Sequence, residues 1–287
     1  MQIVANIAFL SMFYVSFAVG LALVFGVMRT INFAHGEFYM LGGYALWLLL
    51  GLLSGILPDE LTFVIALCVA AGVVGTLGIL TQLSIFRRLR DRPFSIFMAT
   101  LALSYILQVV VVKAIGPMGQ SVPAIFPGFV RFEGMILPIQ RLVVFGLVVF
   151  MIGGLWIFLM RTDLGRAVRA TAQNKTGAML QGISMSRMAL TTMFIGSALA
   201  AISGVLMGSV LTIGPFVGGE AIWRAFIIII VGGIGSLPGT VLAAFLFGTI
   251  DTLMTTFGAG KFSAMVDAVI MLLVLSFMPN GLLGVRE

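Results

Sequence analysis

The sequence predicts an all-α, polytopic bundle of transmembrane helices with about eight or nine spans, some of them broken or half helices, and three observations predict it. First, 61% of the 287 residues are hydrophobic and 9% are charged, with a mean hydropathy of +1.20, so polar side chains are too few to cover a water-soluble globule of this size. Second, long runs such as Met1 to Met28, Leu61 to Phe86 and Met188 to Gly219 contain no Asp, Glu, Lys or Arg, and about 20 apolar residues suffice to cross a bilayer. Third, these runs are rich in Gly and Ala and lack the period-two alternation of polar and apolar residues that a membrane barrel requires.

The spans follow in order. The first, 3–27, has no Lys or Arg before it and is too long for the apolar core of a signal peptide, so it reads as a membrane helix. The second, 37–56, follows a short polar stretch and ends before Pro58-Asp59-Glu60, after which 62–84 forms the third. The fourth, 94–115, opens on Pro93, a residue suited to the first turn of a helix. The Pro- and Gly-rich connection from Gly116 to Gln140 separates it from 141–160 and reads as an irregular loop. The remaining spans are 189–212, 222–234, 239–257 and 263–279, and 222–234 is short enough to be a half-helix. No soluble segment of domain size interrupts them, so residues 1–287 form one transmembrane domain.

Basic residues orient such a chain. The loop Arg87-Arg88-Leu89-Arg90-Asp91-Arg92 and the segment from Arg161 to Arg187 hold most of them, and the two are separated by an even number of crossings, so both are assigned to the cytoplasm. Counting from there puts the N-terminus outside and Arg286 inside. The net charge of +6 is scattered over short inter-helix loops and reflects this orientation rather than a nucleic-acid partner. Cys68, the lone cysteine, offers neither a disulfide nor a metal site and is expected to pack within the bundle.

Three segments carry chemical information. In Asn32-Phe33-Ala34-His35-Gly36-Glu37, followed by Gly42-Gly43, polar and ionisable groups lie between two apolar runs, where they face a cavity or cap helix ends. His35 is the sole histidine; with Glu37 it suggests a proton relay or half of a metal site, but no further ligands are evident and no metal site is assigned. The second segment, Gly232-Gly233-Ile234-Gly235-Ser236-Leu237-Pro238-Gly239, cannot sustain a helix, and backbone freed in this way borders protein or a water-filled cavity. Paired helix breaks of this kind point to a translocation site. The third, 164–183, is too polar to span; its helix-compatible part from Arg166 to Gln181 sets Arg166, Arg169 and Gln173 on one face, as a helix offered to a cytoplasmic partner would. Ala167, Ala170 and Ala178 permit close approach. Elsewhere, Asp251 and Asp267 are expected to neutralise Lys261 at a helix end, with binding of a coupling ion as the alternative.

At these three places the sequence resembles the permease subunits of branched-chain amino acid ABC importers, the LivH class. The strings that carry the resemblance run from Gly26 to Gly42 around Asn32-Phe33-Ala34-His35-Gly36-Glu37, from Gly165 to Ala170 with Gly182-Ile183 downstream, and from Val231 to Gly239. The resemblance implies that the inner segment is a coupling helix docking in a groove of an ATP-binding subunit through Arg166, Ala167, Arg169, Ala170, Gln173, Asn174, Ala178, Gly182 and Ile183. Its stretch Gln173-Asn174-Lys175-Thr176 departs from the acidic and basic residues that family members often carry there. The translocation wall is expected at Asn32, His35, Gly36, Glu37, Gly42, Gly43, Gly232, Gly233, Gly235, Ser236, Pro238 and Gly239.

The chain has no Walker A motif, so no cofactor is expected on it and ATP belongs to partner subunits. The implied assembly holds a second permease chain, two ATP-binding subunits and a periplasmic substrate-binding protein in a bacterial inner membrane. No nucleophile accompanies His35 at a recognisable spacing, so no catalytic residues are assigned. The alternative is an ion-coupled secondary transporter or channel with Glu37, Asp251 or Asp267 at its ion site.

Overall fold

The computed structural model describes residues 1–132 and 135–284. In chain order it contains α1 (Gln2–Met28), α2 (Ala34–Leu53), α3 (Asp59–Thr81), α4 (Pro93–Ala114), α5 (Ile139–Arg161), α6 (Asp163–Gln173), α7 (Lys175–Leu180), α8 (Met185–Gly208), α9 (Val217–Gly232), α10 (Leu237–Thr256) and α11 (Ser263–Phe277). A π-helical turn, Gln82–Phe86, extends α3, and a 3-10 turn, Gly260–Phe262, precedes α11. Between α4 and α5 the connection expected to be irregular holds a hairpin of β1 (Phe129–Phe132) and β2 (Met135–Pro138), paired antiparallel from Phe129 opposite Pro138 to Phe132 opposite Met135.

Among the described residues eight helices are long and apolar enough to cross a membrane, and α9 is not one of them. The irregular stretch 209–216 and α9 together make one further pass, so the described residues traverse the bundle nine times. Opposite ends of the bundle are distinguishable by contact. At one end the tip of α1, the Arg87–Arg92 loop and α6 meet: Val24, Phe86, Ile96 and Met193 form a small core with Met28 and Leu89, and Gly26 lies against Ala172. At the other, Ile136 of the hairpin donates its amide to Gln2 Oε1 at 3.2 Å, and Gln120 and Ile213 pair as a β-bridge. Both basic segments thus share one end, as their spacing predicts, and the described C-terminal residues return to it, where Leu282 N donates to Val231 O at 2.8 Å. Arg286 lies outside the described residues.

The helices α1, α2 and α8 form the centre and α4, α5 and α11 the periphery: 72% of the apolar window of α8 is buried against 11% of that of α11. Several Ser and Thr hydroxyls in the spans turn back on their own helices, as when Thr81 donates to Leu77 O at 2.8 Å and Thr252 to Gly248 O at 2.7 Å, which keeps these groups satisfied without water. Cys68, expected to pack inside, is exposed on α3, because the neighbours of that helix bury its Phe63, Ala66, Ala70 and Val74 edge instead.

Candidate translocation site

The first helix break is shorter than the sequence suggests. Arg29 adopts a left-handed conformation (φ 51°) that ends α1, and α2 begins at Ala34, so His35, Gly36, Glu37, Gly42 and Gly43 are helical. The glycines are tolerated there because they let backbones meet. A Cβ on Gly36 would sit 2.2 Å from Gly218 O, and one on Gly42 2.1 Å from Ala201 O. Gly43 lies beside the Ile213 side chain. Asn32 and His35 are fully buried, and neither the Asn32 amide nor either His35 ring nitrogen hydrogen-bonds to another described residue. His35 lies against the rings of Phe17 and Phe38. Glu37 Oε1 accepts from Ser104 Oγ at 2.8 Å and Gln108 Nε2 at 2.7 Å, next to the first turn of α9, whose positive end favours a carboxylate.

The second break is likewise confined to 233–236, between α9 and α10. Gly233 has φ 103°, a conformation that disfavours side chains, and a Cβ there would meet Gly284 N at 2.4 Å. Gly232 and Gly239 press backbone to backbone, and Gly235 touches Gly26. Ser236 caps α10 by accepting from Gly239 N at 3.1 Å, with Leu237 and Pro238 opening that helix. Pro238 faces an apolar groove with Trp156 and Leu237. The glycines of both segments therefore build close-packed seams. They line little open space, apart from Gly43, which borders a crevice of about 10 Å³.

A polar open space lies between α1, α2 and α9. A cavity of about 220 Å³ is walled by Phe13, Phe17, Tyr39 and Val217 and carries Glu220 and Arg224, with Leu211 and Thr212 of the irregular stretch along one side. Ser121 and Thr212 approach within 3.3 Å and tie that side to the far-end loop. Arg224 is the hub of a buried ionic cluster that joins four helices. Its Nη1 pairs with Asp251 Oδ2, donates to the Tyr14 hydroxyl at 2.5 Å and lies 3.6 Å from Asp267 Oδ2, while the Tyr14 hydroxyl itself donates to Asp251. Asp251 and Asp267 thus neutralise Arg224 and not Lys261. Lys261 is exposed, over the Phe262 ring, because its turn lies at the rim of the bundle whereas Arg224 projects into it. Among the described residues no group of His, Cys, Asp and Glu is arranged to hold a metal ion.

A sequence model of the family described as "Branched-chain amino acid transport system / permease component" matches residues 3–275. The chain belongs to this family. Its similarity extends to curated relatives: it is 31% identical over 283 residues to the high-affinity branched-chain amino acid transport system permease protein BraD of Pseudomonas aeruginosa, covering 96% of this chain and 92% of that one. The corresponding LivH protein of Escherichia coli K12 is 31% identical with the same coverage, and LivM of that organism is 28% identical over 97% of this chain and 69% of its own. Among solved structures, PsaBC from Streptococcus pneumoniae in complex with Fab shares the fold, with a TM-score of 0.50 at 13% identity over 98% of this chain and 93% of that one.

The inner segment of the permease differs from the single helix expected. Asn174 leaves the helical region (φ −145°) and caps α7 by accepting from Gly177 N at 2.8 Å, which splits the segment into α6 and α7, a role that suits Asn better than a helix interior. Thr162 caps α6 through Gly165 N at 3.0 Å, and Arg166 pairs with Asp163. Arg166, Gln173, Asn174 and Gly182 are exposed; Ala167, Arg169, Ala170 and Ile183 are half-buried; Ala178 is buried. Arg169 Nε donates to Leu159 O at 2.9 Å and so braces α6 against the end of α5. Leu180, a large apolar residue, is 82% exposed here. Sequence reasoning passed over Leu180 because it reads as ordinary helix filler. Glu220 and Arg224 were passed over because they straddle the start of the predicted span 222–234, where charges read as a helix end. Their spacing of four residues on a short span was the available signal, since charges within a span mark function.

Proposed function

We propose that this permease carries branched-chain or closely related amino acids across the bacterial inner membrane as one subunit of an ATP-binding-cassette importer. It works beside a second permease chain and is driven by two ATP-binding subunits. A periplasmic binding protein delivers the substrate at the hairpin end. The observation that carries this reading is α6–α7: a polar helix pair at the basic end whose outer surface offers Arg166, Gln173 and an exposed apolar tip, Met179-Leu180. An apolar anchor within a polar rim is what a docking element needs.

The pair is coupled to the bundle by short contacts. Gly165 packs on Phe158 O, Arg169 holds Leu159 O, and Ala172 touches Gly26, which touches Gly235. A rigid displacement of α6–α7 by the motor subunits therefore reaches the tip of α1 and the 233–236 break together, the geometry that alternating access requires. An ion-coupled mechanism is less well supported, because Arg224 occupies the place between Asp251 and Asp267 that a coupling cation would take.

The test is leucine uptake and ATP hydrolysis by the reconstituted complex in proteoliposomes. Leu180→Asp is expected to abolish ATP-dependent uptake while leaving insertion of the chain normal. Accumulation of leucine by the isolated chain without nucleotide would overturn the reading.

A further inference from the structure

We propose that the cavity between α1, α2 and α9 is a stopping site for a zwitterionic α-amino acid with an apolar side chain, with Arg224 receiving the carboxylate and Glu220 the ammonium. This rests on the reading of the chain as an amino-acid permease and adds the residues that hold the cargo.

Three features of the site carry the assignment. Arg224 reaches Tyr14, Asp251 and Asp267 all through Nη1, and Nε and Nη2 make no hydrogen bond with a described residue, while 35% of the side chain remains exposed. A guanidinium fixed along one edge presents the other as a pre-set fork for a carboxylate. Glu220 lies one turn away on the same face of α9, at the i, i+4 spacing that ordinarily pairs Glu with Arg, yet it makes no ion pair or side-chain hydrogen bond with a described residue. The two Asp residues have drawn the arginine off, so a free carboxylate and a half-free guanidinium stand beside one another over the same cavity. Opposite charges held about 5–6 Å apart at their Cβ atoms complement the two ends of an amino acid.

The remaining walls are apolar. Phe13, Phe17 and Tyr39 form a cluster, with ring centroids 5.3 Å apart for Phe17 and Tyr39 and 6.2 Å for Phe13 and Tyr39. The volume of about 220 Å³ equals that of roughly seven liquid waters, the scale of one small aliphatic amino acid. Two carboxylates already share the charge of Arg224, so its hold on a third is weakened. A transport site must bind firmly enough to admit a solute and weakly enough to release it.

The experiment measures binding of radiolabelled L-leucine to the permease–ATPase complex in nanodiscs without binding protein, competed by leucinamide, which lacks the carboxylate, and by 4-methylpentanoate, which lacks the ammonium. Saturable leucine binding is expected, with each analogue weaker by about ten- to a hundredfold, the worth of one hydrogen-bonded charge. Glu220→Gln should weaken leucine by about ten- to a hundredfold and so erase its advantage over 4-methylpentanoate. Ala221→Leu, which fills the cavity from α9, should remove leucine binding and leave the folded complex intact. Absence of saturable binding to the wild-type complex, or unchanged leucine binding and uptake in both variants, would overturn the site while leaving the permease reading in place. A wild-type complex that transports no amino acid would overturn the permease reading itself.

Discussion

The seams and the cavity of this bundle lie side by side and are built on opposite principles. At the seams, Gly36 meets Gly218, Gly42 meets Ala201 and Gly232 meets Gly239 with no room for a methyl group. In lipid, where apolar side chains gain little by leaving the solvent, such backbone approach is a main source of helix association. At the cavity, only a few ångströms along α9, side chains hold the helices apart and charge replaces contact: Arg224 joins Tyr14, Asp251 and Asp267 from three other helices. The difference teaches that a glycine-rich, sequence-conspicuous motif in a membrane protein is as readily a fastening as a passage. On the reading proposed above, the passage is marked instead by charges that packing has left incompletely paired.

The sharpest way to break this contrast is Arg224→Met, which leaves two buried carboxylates without their cation. It is expected to lower stability by about 3–5 kcal/mol, read from unfolding in mixed detergent micelles, with part of the loss recovered when Asp251→Asn is added. Next comes Gly204→Ala, whose new Cβ would lie 1.9 Å from Tyr39 O and is expected to cost about 1–3 kcal/mol in the same assay. Gly72→Ala on the outer surface of α3, where nothing lies within 4 Å, should instead gain up to about 1 kcal/mol, because the helix loses a flexible residue. His35→Leu is expected to change stability by less than about 1 kcal/mol, since replacing a buried polar group without partners by an apolar one of similar size is nearly neutral. A large loss there would show that the histidine holds the seam by more than its shape. Smallest is Glu220→Gln, within about 0.5 kcal/mol of wild type in stability despite its effect on leucine, as befits an exposed side chain without partners in the fold.

Much of the fold was legible in the sequence because in a bilayer each span must satisfy its own backbone. Apolar length alone located the passes, and the short ninth one was visible as a segment too brief to cross by itself. The breaks were placed correctly and drawn too wide, since glycine composition does not distinguish an unwound backbone from a helix pressed against its neighbour. Gly36 and Gly42 are the clear cases, both inside α2. Asn174 could have been read as a cap, and the division of the inner segment into α6 and α7 with it. The hairpin was hidden because its strands are only four residues each and sit among prolines.

By itself the sequence determined that this chain lives in a membrane, that it crosses eight or nine times, that its basic segments share one end and where two of its apolar runs are interrupted. Those are consequences of local composition and of the solvent around each segment. Only the tertiary structure decided that Arg224 belongs to Asp251 and Asp267, 27 and 43 residues further on, and that Glu220 is left over beside a cavity. Partners across helices are chosen by how the helices pack, and no spacing along the chain encodes that choice.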